Sequence, residues 1–133
     1  VALLVFGLSG CALLGDDRPR STALKERELK VTELVGGWEG EGGARLTMTE
    51  RDQRFVAKGL QADKPEQDGL PVDTDGRVSG KGTWSFDKYT AGYQVDLHFQ
   101  GPGDLTLTVA ELDGELVISS YVNDGDEFLL HRS

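Results

Sequence analysis

The chain has 133 residues, with 23 Asp and Glu against 14 Lys and Arg, a formal net charge of -9, and a single cysteine. A field of that sign argues against nucleic acid and anionic lipid headgroups as partners. One cysteine excludes an intramolecular disulfide or a cysteine metal site, so stability has to come from one apolar core of modest size.

The first stretch, Val1 to Leu14, reads VALLVFGLSGCALL and carries no charge. It is shorter than the roughly 20 residues a helix needs to cross a bilayer. It suits a secretory apolar region of about 7 to 15 residues that ends in small side chains. Leu8, Ser9, Gly10 and Cys11 resemble the lipobox of bacterial lipoprotein signal peptides, an aliphatic residue, two small residues and a cysteine. The resemblance implies cleavage between Gly10 and Cys11 and a diacylglyceryl group on the Cys11 thiol. Such an anchor contributes about 0.8 kcal/mol per buried methylene from two acyl chains, and it places the protein on the extracytoplasmic face of the cell membrane. The chain starts at Val1 with neither Met nor a basic region, so residues 1–10 are expected to be the remnant of a longer signal peptide.

Residues 11–31 read as a lipid-anchored tether, because 16–31 mix both charge signs around Pro19. Glu26 and Lys30, four apart, would support a short helix over 22–30, but Leu24, Leu29 and Val31 make no continuous apolar stripe. The folded domain is expected over 32–133.

Within it the hydrophobic period is two. Tyr93, Val95, Leu97 and Phe99 alternate with Gln94, Asp96, His98 and Gln100, the pattern of a strand with one dry face. Asp113-Gly114 is a type I′ hairpin signal, and pairing outward from it sets Leu112 opposite Glu115 and Val109 opposite Ile118. Weaker strands follow at 37–42, 44–50, 53–60, 79–87 and 126–132, with Trp38, Leu46, Met48, Phe55, Ala57, Trp84, Phe86, Phe128 and Leu130 inward. The connections are short and turn-like except 61–78, whose length suits a lid, a binding loop or a disordered insertion. The expected fold is all-β, an eight-stranded antiparallel up-and-down meander closed into a barrel.

Leu34-Val35-Gly36-Gly37-Trp38 resembles the G-x-W signature of lipocalins and other calycins. What the resemblance implies is a tryptophan, Trp38, plugging the closed end and an arginine near the end of the last strand, Arg132, over its ring, a cation–π contact of about 0.5 to 2 kcal/mol. Leu34–Trp38, Gly80–Trp84 and Phe128–Arg132 are also similar to the LVGxW, GxGTW and Phe-rich segments of uncharacterised lipoproteins of high-GC Gram-positive bacteria. That likeness supports fold and location and carries no activity.

The barrel interior is the default ligand site, with Trp84, Phe86, Tyr93 and Ser120 as candidate contacts. The number of large inward side chains argues instead for a filled core. Asp73-Thr74-Asp75-Gly76 resembles the start of a calcium loop, but Trp84 stands where that loop needs a glutamate, so it reads as a polar turn. His98 and His131 have no Ser, Asp or Glu partner at a catalytic or metal-ligand spacing along the sequence. The expectation is therefore a monomeric, non-catalytic module without metal or cofactor. Its partner is either a small apolar ligand in the barrel or a cationic envelope protein.

Overall fold

The computed structural model describes residues 21–24, 27–90, 92–101, 103–123 and 126–133. The lipobox with Cys11, Glu26 of the expected Glu26–Lys30 pair, and Ala91, Pro102, Asp124 and Gly125, read from sequence as turns, lie outside the described residues.

Alternation of apolar and polar side chains builds eight strands: β1 (Gly36–Glu39), β2 (Arg45–Met48), β3 (Arg54–Leu60), β4 (Val78–Tyr89), β5 (Gly92–Phe99), β6 (Asp104–Leu112), β7 (Glu115–Asn123) and β8 (Asp126–Arg132). Each pairs antiparallel with the next, and β8 returns to β1 through His131 opposite Glu39 and Arg132 opposite Trp38. The result is an all-β, eight-stranded antiparallel meander closed into a barrel, with no α-helix among the described residues. Closure satisfies the edges that an open sheet of this size would expose. The β6–β7 hairpin turns at Asp113 and Gly114, whose φ values of 53° and 82° are the positive pair that a type I′ turn requires. Its register sets Leu112 opposite Glu115 and Val109 opposite Ile118.

Inward residues form one core. Trp38, Leu46, Met48, Phe55, Ala57, Trp84, Phe128 and Leu130 are all buried, and Phe86 packs against them partly buried. Two glycines let the wall close tightly around these rings. A Cβ on Gly80 would lie 2.9 Å from the Phe99 ring, and one on Gly82 would lie 1.9 Å from the His98 carbonyl oxygen. The GxGTW segment is thus a close approach of β4 to β5 followed by a core tryptophan.

Two segments depart from the sequence expectation. Thr22–Ala23 is a two-residue strap that extends the sheet, pairing with Glu111 and Ala110 of β6. Leu24 and Leu29, read from sequence as part of a solvated tether, are each only 4% exposed within the core cluster. Their spacing of five fits neither period, which is why no pattern marked them. A 3-10 turn, Val31–Glu33, then leads into β1. Its Glu33 carboxylate accepts the Lys30 N–H at 3.0 Å and pairs with Arg27, and these contacts hold the carboxyl below its usual range.

The long connection 61–78 is folded down onto the other end. Leu70 joins the core, Val72 bridges to Val78, and the Asp73 carboxylate accepts the N–H groups of Asp75 and Arg77 and the Ser79 hydroxyl at 2.8, 3.1 and 3.2 Å. Asp73 therefore ties a turn, and its carboxyl sits below the usual range because the Arg77 N–H, the Asp75 N–H and Ser79 all favour the charged form.

Candidate functional site

The sequence-derived ligand residues divide into two groups. Trp84 and Phe86 on β4 and Tyr93 on β5 form one run of aromatics, with ring centroids 6.2 Å and 6.0 Å apart in turn. Ser120, 7% exposed, is on β7 opposite Phe128. The polar atoms of the buried rings are already engaged. Trp84 Nε1 donates to the Thr49 carbonyl at 2.9 Å, and the Tyr93 hydroxyl accepts the Leu29 N–H at 3.0 Å. Trp38 Nε1 donates to the Leu34 carbonyl at 2.9 Å.

The structure brings Trp38 and Arg132 together. The guanidinium carbon lies 4.3 Å from the indole centroid, and its nitrogens donate to the carbonyls of Val35 and Glu33. One side chain thus clamps the entering segment, the first strand and the last strand. Gly36 makes this possible, since a Cβ there would sit 2.8 Å from Arg132 Nη1.

On the outer wall the register juxtaposes groups that sequence spacing does not. His98 Nε2 is 3.2 Å from the Ser85 hydroxyl, and Nδ1 is 3.1 Å from Asp104 Oδ1, so three strands share one Ser–His–Asp chain. The connectivity is that of a hydrolytic triad. The His98 and Asp104 side chains, however, are 45% and 68% exposed on an open sheet face. A serine nucleophile also needs aimed oxyanion donors in a water-excluded site, and an open strand face supplies no such enclosure. The chain reads as a cross-strand polar tie. His131 is exposed on β8 opposite Glu39.

Beside this tie a furrow of about 480 Å³ runs across β3, β4 and β5. Registers place Arg54, Thr83 and His98 in one outward row and Val56 and Lys81 in the next, with Gln100 joined to the second through its N–H on the Lys81 carbonyl. Between the rows the floor is the backbone of Phe55, Gly82 and Phe99. No group of three or more metal-ligating side chains occurs among the described residues.

The class that these features define is a small closed eight-stranded antiparallel β-barrel with a polar furrow on its outer wall. Comparison with protein-family models, with curated proteins and with solved structures returns no match for this chain.

Proposed function

We propose that the protein is a lipid-anchored, non-catalytic interaction module of the cell envelope, in which the barrel is a solid scaffold and the contacts are made from outside. The observation that carries this is the state of the interior polar atoms: Trp38, Trp84 and Tyr93 each bond to the protein's own backbone. A ligand entering the barrel would leave at least one of those backbone groups buried without a partner, at a cost of about 1–3 kcal/mol. Leu29 and Leu70 add buried apolar contacts to the core from the two long segments that flank the strands. The net charge of -9 favours a cationic protein partner, and the Leu8–Cys11 lipobox supplies the anchor.

Native mass spectrometry of the protein purified from its own host tests this. The expected mass is that of a chain starting at Cys11 with a diacylglyceryl group and no retained small molecule. A retained apolar molecule would establish capture inside the barrel instead, and an unmodified Cys11 would remove the anchor.

A further inference from the structure

The outer furrow is cationic on a protein that is otherwise strongly acidic. Of its walls, Arg54 and Lys81 are both exposed, and neither makes an ion pair among the described residues. They stand on adjacent strands in diagonal register, Arg54 opposite Thr83 and Lys81 opposite Val56. Diagonal neighbours on one sheet face lie roughly 7–8 Å apart, within reach of two long side chains that converge on one ligand.

The remaining groups define the chemistry further. Thr83 and Gln100 add donors on either side, and His98 is held in orientation by Ser85 and Asp104. Val56, 58% exposed, is the one large apolar surface in the furrow. The floor is bare strand backbone, because Phe55, Gly82 and Phe99 are paired across the three strands in the core-facing register between the two outward rows. Such a concave strip, with donors at both walls and a short apolar contact, matches the few placed polar groups of a small-molecule site and falls in its usual size range of about 300–1,000 Å³.

We propose that this furrow binds a small ligand carrying two anionic groups, carboxylate or phosphate, on a short scaffold, with one group on Arg54 and the other on Lys81. Arg54 offers a planar fork for one oxyanion and Lys81 a point charge for the other. The size limit follows from the whole-molecule field. At a net charge of -9, a long polyanion or an anionic membrane meets repulsion beyond the furrow, whereas a short ligand with two anionic groups meets mainly Arg54 and Lys81, with Asp104 engaged by His98 Nδ1 beside them. The site lies outside the barrel wall, so it stands whatever the interior holds.

The test is an NMR titration of the ¹⁵N-labelled protein at fixed ionic strength with two probes, the dipeptide Glu-Glu and fructose 1,6-bisphosphate. Saturable shifts at Gly82, Thr83 and Gln100 with either probe support the site. Arg54→Gln and Lys81→Gln should each weaken binding by about tenfold or more. Arg45→Gln with Lys58→Gln, cations on the same face but outside the furrow, should change it less than about twofold. Equal weakening by the two pairs would reduce the effect to general charge screening and overturn the proposal. Shifts without saturation, or confined to other strands, would overturn it as well.

Discussion

Replacing Arg132 with Met keeps an apolar stem over Trp38 and removes the charge and the fork. Three interactions are lost: the cation–π contact at 4.3 Å from the indole centroid and the donations to the carbonyls of Val35 and Glu33. At an exposed position the first contributes about 0.5–1 kcal/mol. A charged donor to a carbonyl is worth about 1.5–3 kcal/mol when well shielded, and less here because Arg132 stays hydrated. Taking about 1 kcal/mol for each donation, the expected loss is about 2–3 kcal/mol, or roughly 10–20 °C in Tm for a domain of this size. Arg132→Lys retains a cation near Trp38 without the fork, so it should recover less than half of that loss. Gly36→Ala should act through the same clamp, because φ at Gly36 is 121° and the new Cβ would meet Arg132 Nη1 at 2.8 Å. Differential scanning calorimetry of the three variants reads the result directly. A Tm within about 2 °C of wild type for Arg132→Met would refute the clamp as a closing element of the barrel.

Gly82→Ala, whose Cβ would lie 1.9 Å from the His98 carbonyl oxygen, should cost about 1–3 kcal/mol or more, whereas the exposed neighbour Thr83→Ala should stay within about 0.5 kcal/mol in chemical denaturation. Asp73 has a carboxyl held below its ordinary value of 3.8, so its contribution to ordering 61–78 is present above that pH and is lost as pH falls through the lower folded value. Measured against intrinsic rates at the same pH, the protection of the Asp75 and Arg77 amides should therefore fall at acid pH, and in Asp73→Asn it should be low already at neutral pH. Ser85 should resist labelling by a fluorophosphonate probe at concentrations that label a serine hydrolase; stoichiometric modification of Ser85, abolished by His98→Gln, would mean that the outer-wall tie is catalytic.

The barrel was legible because its signals are local. The alternation in 93–99 and the Asp113-Gly114 turn set strand faces and register without knowledge of distant contacts. Trp38 and Arg132 could be paired only through a family resemblance, since they lie 94 positions apart and no period links them. Leu24 and Leu29 were hidden for a different reason. They enter the core from an irregular segment among charged residues, where burial depends on a barrel that the segment does not itself build. The outer furrow needed register between strands. Ser85, His98 and Asp104 are 13 and 6 residues apart and meet only when β4, β5 and β6 align. The outward parity of Arg54, Lys81, Thr83 and His98 is the signal that could have found the furrow, had the weaker strands been paired as firmly as the hairpin.

The central claim is that the barrel is a solid scaffold whose buried rings are bonded to its own backbone. The two tryptophans give two indole N–H signals in a ¹⁵N spectrum, and both donate to backbone carbonyls, of Leu34 and of Thr49, at 2.9 Å. Hydrogen exchange at these two protons tests the claim most directly. Both should exchange slowly, at rates that track global unfolding, and neither signal should move when apolar ligands are added. Rapid exchange of the Trp84 proton, or its saturable displacement by an apolar ligand, would show an open interior and contradict the account.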